Sequence, residues 1–98
     1  MKNWYSDSTD ALCRAFLTLQ TKEECYAFLE DLCTIKEILG MSQRLEVATM
    51  LRSGSSYTTI TKATGASTAT ISRVSKCSEY GTGGYHTIIE RMNQEEDA

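Results

Sequence analysis

Apolar residues recur every three to four positions over most of the chain, which is the spacing of one face of an α-helix. Three successive apolar stripes, in residues 12–19, 25–32 and 38–51, predict three helices. A Thr-x-x-Glu sequence, the capping box of a helix N-terminus, precedes the second stripe at Thr21 and the third at Thr34. No segment alternates apolar and polar residues over the length of a useful strand, so the pattern predicts an all-α protein.

The pattern breaks at residues 53–56, Ser-Gly-Ser-Ser, and two short helices with a glycine between them follow. Residues 78–84 contain three glycines and predict a flexible connector. A last short helix carries Ile88 and Ile89, and the acidic residues 93–98 predict an unstructured tail. The expected fold is therefore all-α, with five to six helices in a single domain over residues 1–98.

The pair of short helices in residues 57–76 has the pattern of a helix-turn-helix. Gly65 occupies the tight turn, where a left-handed backbone suits a residue without a Cβ atom. Ile60 of the first helix is spaced to face Ile71 and Val74 of the second across the turn, and Ser67 is a good N-cap for the second helix. The spacing fits this motif throughout.

The second short helix carries small residues on the face opposite its apolar positions. Short Ser, Thr and Ala side chains allow a helix to settle deep in the major groove of DNA, although Ser and Thr are poor helix formers. Arg73 and Lys76 at its end can contact guanine or phosphate. The candidate DNA-contacting residues are Ser67, Thr68, Ala69, Thr70, Ser72, Arg73 and Lys76 of the second helix, with Tyr57 and Lys62 of the first.

The net charge of −3 argues against nucleic acid as a partner until the charge is divided along the chain. Residues 1–43 carry −3 and residues 77–98 carry −4, whereas residues 44–76 carry +4. The basic block coincides with the predicted helix-turn-helix and the end of the helix before it. Because phosphate contacts act within roughly 10 Å at physiological salt, a local basic face on an acidic protein is sufficient for binding double-stranded DNA.

Length and apolar content limit the class of protein further. A chain of 98 residues has a modest core, to which a second subunit would add buried surface. No segment approaches the ~20 apolar residues of a membrane-spanning helix, and the N-terminus lacks the apolar run of a signal peptide. We therefore expect a cytoplasmic protein that has no membrane partner.

The four cysteines, Cys13, Cys25, Cys33 and Cys77, lack the close pairs that zinc sites usually show. In a reducing cytosol this spacing predicts buried free thiols. The sequence also shows no paired carboxylates, no phosphate-binding loop and no cluster of metal ligands. We therefore expect neither enzymatic activity nor a metal site.

Three segments together carry a family resemblance: Thr34 ahead of a long helix, residues 44–54 at the end of that helix, and residues 65–73, Gly-Ala-Ser-Thr-Ala-Thr-Ile-Ser-Arg. They resemble the Trp repressor superfamily, and its smaller Trp-repressor-like branch more than the tryptophan-sensing repressor. The resemblance covers about residues 10–92. It implies an interlocked all-helical homodimer in which each subunit presents a helix-turn-helix to one half of a DNA operator.

The same resemblance also implies a ligand pocket. In the tryptophan-sensing repressor two arginines sandwich the indole ring, and Arg44 and Arg73 stand at the matching positions, while Thr34 matches a third pocket position. Val74 replaces a glycine beside the second arginine, and Cys77 replaces a serine. Because valine would fill space that the indole needs, we expect no cofactor and no tryptophan corepressor, and leave open whether another small molecule binds.

Two functions remain at this point. The favoured one is a sequence-specific DNA-binding transcriptional regulator that reads the major groove with residues 67–76. That it represses transcription and does not activate it is implied by the resemblance alone. The alternative is a protein-interaction module that keeps the helix-turn-helix only as architecture and engages a partner through its acidic ends.

Overall fold

The computed structural model describes residues 2–97 of the chain, and these residues contain six α-helices and no strand. The prediction of an all-α fold is confirmed. The helices are α1 (Asp7–Leu17), α2 (Lys22–Leu32), α3 (Ile35–Arg52), α4 (Tyr57–Thr64), α5 (Thr68–Tyr80) and α6 (Gly84–Asp97).

Hydroxyl side chains start several of these helices. The Ser6 hydroxyl accepts from the Thr9 amide at 3.1 Å, and the Thr9 hydroxyl accepts from the Ser6 amide at 2.8 Å, which is a complete capping box. Thr21 caps α2 in the same way, but the Glu24 carboxylate accepts from the amide of Gln20 at 2.8 Å instead of that of Thr21. The predicted start of α2 is therefore right, and its capping box is displaced by one residue.

The chain forms two compact units, which divide between Ile35 and Lys36. In the first unit, α1 and α2 contain no buried residue. Phe16 and Phe28 meet edge to face with their ring centroids 5.3 Å apart, and Leu17 is 85% exposed. The apolar stripes that predicted these helices are thus present, but this chain leaves them largely uncovered.

The second unit holds the core. Its members are less than 3% exposed and come from α3 to α6 and the turn between α4 and α5: Val47, Ala48, Ile60, Ala66, Ile71, Val74 and Ile89. Leu45, Met50, Leu51 and Tyr85 pack against this cluster from positions that are half-buried. The apolar face of the predicted helix-turn-helix therefore forms most of the core of the unit.

The turn between α3 and α4 is set by a glycine. Gly54 adopts φ +86°, and its amide donates to the carbonyl of Leu51 at 3.1 Å. The next amide, of Ser55, donates to the carbonyl of Met50 at 3.0 Å. This pair of bonds is a Schellman motif, and it ends α3 where the sequence pattern breaks.

The structure extends two helices beyond their predicted ends. Helix α5 continues to Tyr80 and ends at Gly81, where the backbone becomes extended with φ −84° and ψ −159°. A Cβ atom at this position would meet the carbonyl oxygen of Cys77, so the conformation suits a glycine. Residues 78–80 are therefore helical, where the sequence predicted a connector. Helix α6 continues to Asp97, so residues 93–97 are helical where an unstructured tail was predicted, because glutamine and glutamate there are good helix formers and no breaker intervenes. Ala98 lies outside the described residues.

The cysteines are all free, and the expectation that they are buried is wrong. Cys13 and Cys77 are exposed, and Cys25 and Cys33 are half-buried. Residues 2–97 hold no group of three side chains that could bind a metal ion. Within the same residues, no helix is both long enough and apolar enough to cross a membrane.

The core of the second unit makes the stability of the helix-turn-helix depend on Ile71, which is fully buried. We expect Ile71→Ala to lower the free energy of unfolding by about 3 kcal/mol and Ile71→Val by about 1 kcal/mol, because each deletion leaves a cavity in proportion to the volume removed. Urea denaturation followed by circular dichroism at one fixed protein concentration measures both. Stability of Ile71→Ala equal to that of the unaltered protein would contradict this packing.

Candidate nucleic-acid interface

The turn between α4 and α5 has the geometry of a helix-turn-helix, which confirms the prediction of that motif. Gly65 adopts φ +74°, and its amide donates to the carbonyl of Thr61 at 2.8 Å. A non-glycine residue there would be strained, although the space around an added Cβ atom is empty. Because Ile71 and Val74 are buried, the opposite face of α5 points away from the core.

That opposite face contains the residues that the sequence singled out. Thr68, Ala69, Arg73 and Lys76 are exposed, and Ser72 is half-buried. Their spacing over two turns places them along one side of the helix. Apart from Arg73 and Lys76 these side chains are short, so the helix backbone can come close to whatever surface faces it.

The start of α5 is built from two hydroxyls that bind each other. The Ser67 hydroxyl accepts from the Thr70 amide at 3.1 Å and donates to the Thr70 hydroxyl at 3.1 Å. Thr70 is half-buried. Both candidate residues are therefore engaged in holding the helix N-terminus, which sequence reasoning recognised for Ser67 and missed for Thr70.

The same device starts α4. The Ser56 hydroxyl accepts from the Thr59 amide at 3.2 Å and donates to the Thr59 hydroxyl at 2.9 Å. Tyr57, the first residue of α4, is 40% exposed, and Lys62 in its last turn is exposed. The two candidate residues of this helix therefore remain accessible, and a serine-threonine pair fixes each of the two helix starts.

The basic block is smaller than the sequence suggested. Arg52 at the end of α3 forms an ion pair with Glu90 of α6, with 2.8 Å between Nη2 and Oε1. No ion pair is seen within residues 2–97 for the other four cations of the block, which are Arg44, Lys62, Arg73 and Lys76. Arg52 therefore joins two helices, and four cations are left for a polyanion.

The residues of the predicted ligand pocket are divided between the two units. Arg44 and Arg73 are exposed in the second unit, and Thr34 belongs to the first unit. Within the second unit, a cleft of about 560 Å³ opens between Leu45 of α3, Cys77 of α5 and the α6 residues Tyr85 and Ile88. Neither Arg44 nor Arg73 lines it.

One residue that sequence reasoning missed reaches the turn from α3. The side-chain amide nitrogen of Gln43 donates to the main-chain carbonyl of Thr64, the last residue of α4, at 3.1 Å. The donor and the acceptor are 21 positions apart, so no local pattern in the sequence could have indicated this bond.

The chain is similar to several known proteins over nearly its whole length. It is 52% identical over 87 residues to the uncharacterised protein YerC of Bacillus subtilis, and the matched region covers 89% of this chain and 84% of YerC. The crystal structure of a candidate Trp repressor from Staphylococcus aureus matches with a TM-score of 0.88 at 49% identity, covering 91% of this chain and 89% of that one. A TrpR-like protein from Eubacterium eligens also matches with a TM-score of 0.88 at 49% identity, covering 90% of this chain and 91% of that one.

The family model described as Trp repressor protein matches residues 7–93, which include all of α1 to α5 and most of α6. The resemblance inferred from Thr34, residues 44–54 and residues 65–73 is thereby confirmed. This chain belongs to the Trp repressor family, a family of DNA-binding regulators.

Proposed function

We propose that this protein is a homodimeric transcriptional repressor that reads a specific DNA sequence by placing α5 in the major groove. The observation that carries the proposal is the outer face of α5, where Thr68, Ala69 and Arg73 are exposed on a helix whose other face is locked in the core. Repression, as opposed to activation, follows the family to which the chain belongs.

The chemistry of this face suits the edges of bases. The Ala69 methyl and the Thr68 methyl can meet the methyl group of thymine, and the Arg73 guanidinium can donate two hydrogen bonds to O6 and N7 of guanine. The hydroxyls of Ser67 and Thr70 are engaged in the cap, so we assign them to holding the helix start against the DNA backbone instead of reading bases. Ser72, half-buried, lies at the edge of the contact.

The free cations supply affinity without sequence information. Lys76 at the far end of the reading face, and Lys62 and Tyr57 on α4, flank α5 and are accessible to phosphates on either side of the groove. Each phosphate that a lysine or arginine neutralises releases condensed counterions, so binding weakens steeply as salt rises. The four cations of the basic block that have no ion pair within residues 2–97 make this contribution substantial despite the chain's net charge of −3.

A second copy of the chain is the partner that the exposed apolar residues favour. Large side chains that a monomer would leave in water include Trp4 at 65%, Tyr26 at 65%, Leu39 at 64% and Leu17 at 85%. A soluble monomer rarely exposes so much apolar surface. A two-fold dimer would cover it and present two α5 helices to the two halves of a symmetric operator.

The test of the proposal is a selection from a pool of random duplex DNA with the full-length protein at low salt. We expect a two-fold symmetric motif to be enriched, and the affinity for that duplex to fall steeply as salt rises. A protein-interaction module that keeps the motif only as architecture would enrich no sequence, and that result would reject the proposal.

Arg73 and Lys76 have separate roles in this account, which single variants resolve. We expect Arg73→Ala to lower affinity for the enriched duplex by about 1–3 kcal/mol and to relax selection at one position of each half-site. Lys76→Ala should weaken binding to enriched and scrambled duplexes equally, and reduce the slope of log affinity against log salt by about 1 per subunit. Fluorescence anisotropy across a salt series measures both.

Arg14→Ala and Lys22→Ala are the matched controls, since they remove the same charges from the first unit, and they should leave affinity unchanged. Circular dichroism establishes that the variants fold. Unfolding of Arg73→Ala or Lys76→Ala would make these residues structural, and the assignment of α5 as the reading helix would then be wrong.

The dimer depends on apolar residues that this chain exposes, and Leu39 of α3 is one of them. We expect light scattering after gel filtration to give the unaltered protein twice the chain mass of 10.9 kDa and Leu39→Glu a mass near that of one chain, because the new carboxylate would be buried unpaired. Thr49→Glu puts the same charge on an exposed polar position of α3 and should remain dimeric. A dimeric Leu39→Glu protein would exclude this face from the interface.

Tryptophan is not the effector in our proposal. Val74, beside Arg73, is 1% exposed and packed in the core, and Cys77 offers only a weak partner for an amino group. We therefore expect 1 mM tryptophan to change the affinity for the enriched duplex by less than twofold, measured by anisotropy at fixed salt. A tenfold gain in affinity would show that the pocket accepts the indole ring despite the valine.

A further inference from the structure

Gln43 is the residue from which the structure supports an inference beyond the proposed function. It lies on α3, is half-buried, and donates from its side-chain amide nitrogen to the carbonyl oxygen of Thr64 at 3.1 Å. Thr64 ends α4 and directly precedes the left-handed Gly65. The bond therefore joins α3 to the turn of the helix-turn-helix.

Within residues 2–97, no group other than the Gln43 amide donates to this carbonyl. The last four carbonyls of an α-helix have no amide partner within the helix, and Thr64 is also half-buried, so water reaches it poorly. A carbonyl oxygen can only accept a hydrogen bond, and within the glutamine side-chain amide only the nitrogen can donate one. The Gln43 amide must therefore turn its nitrogen, and not its oxygen, towards Thr64. Because the bond is part-buried, leaving this acceptor without a donor would carry a part of the cost of its desolvation.

The other bonds of the turn are local. The Thr64 hydroxyl donates to the carbonyl of Ile60 at 2.8 Å and accepts from the amide of Ala66 at 3.1 Å, and the Gly65 amide donates to Thr61. These bonds fix the shape of the turn but not its direction relative to α3. The apolar core holds the elements together, yet burial of apolar surface is non-directional. The Gln43 bond supplies a direction.

The ion pair between Arg52 and Glu90 does not fix the direction of the turn relative to α3. It joins α3 to α6, away from the turn, and its two side chains are 32% and 46% exposed. Salt screens such a pair, whereas a half-buried bond between neutral groups keeps its strength across the salt range in which DNA binding is measured.

We propose that Gln43 is a positioning residue of the DNA-binding site, which holds the turn between α4 and α5 in one orientation on α3. This inference rests on the proposed function. To read a two-fold symmetric site, a dimer must hold its two α5 helices at a fixed distance. If the turn could move relative to α3, that distance would vary. Base contacts would suffer from such a spread, while phosphate contacts, which tolerate many registers, would not.

The test compares Gln43→Met, which keeps the length of the side chain and removes its donor, with Gln43→Lys, which restores a donor. We expect Gln43→Met to bind the enriched duplex about tenfold more weakly and a scrambled duplex of the same length within twofold of the unaltered protein. Hydrogen exchange of the Gly65 and Ala66 amides in the free protein should accelerate about tenfold. Gln43→Lys should recover most of both losses.

The outcomes separate this inference from the proposed function. If the unaltered protein enriches no duplex, the function is wrong and the inference falls with it. If it enriches a motif but Gln43→Met matches it in affinity and in exchange, only the role of Gln43 is wrong. Equal losses on enriched and scrambled duplexes, or failure of Gln43→Lys to recover binding, would make Gln43 merely structural. If Gln43→Met does not fold, Gln43→Glu takes its place in the same measurements, because glutamate has the shape of glutamine without its donors.

Discussion

The left-handed turn at Gly65 is the constraint on which the rest of the second unit depends. Its φ of +74° lets α4 and α5 cross closely enough to bury Ile60, Ala66 and Ile71. Once the apolar face of α5 is buried in this way, its opposite face has to point outward. The exposed row of Thr68, Ala69 and Arg73 is therefore a direct consequence of how the core is packed.

Charge and hydrogen bonding then adapt this scaffold to an anionic partner. Ion pairing consumes Arg52, which fastens α3 to α6, and leaves Arg44, Lys62, Arg73 and Lys76 unpaired among the described residues. Serine-threonine pairs stiffen the first turns of α4 and α5 without adding acidic caps, although aspartate would cap a helix equally well. Carboxylates at these positions would repel phosphate, so the hydroxyl caps fit the proposed role.

Much of this could be predicted from the sequence, because the motif is encoded locally. Gly65, the apolar spacing of Ile60 and Ile71, and the cap at Ser67 lie within a dozen residues and indicate the helix-turn-helix by themselves. The ends of α5 and α6 were harder to predict. Residues 78–80 stand directly before a glycine-rich stretch and residues 93–97 are rich in acidic side chains, but neither segment contains a residue that stops the preceding helix. The bond from Gln43 to Thr64 and the ion pair of Arg52 depend on tertiary contacts across more than 20 residues, which no short pattern records. Burial of Cys13 failed as a prediction because α1, on which it lies, contains no buried residue among the described residues.

The most direct test of the central claim is to map the residues of the protein that DNA contacts. Amide chemical shifts of the full-length protein, followed by NMR as a short duplex carrying the enriched motif is added, report this residue by residue. We predict that the largest changes fall in residues 56–76, on the first turns and outer face of α4 and α5. Changes concentrated on α1 and α2 or on α6, with residues 67–76 unmoved, would contradict the assignment of α5 as the helix that reads DNA.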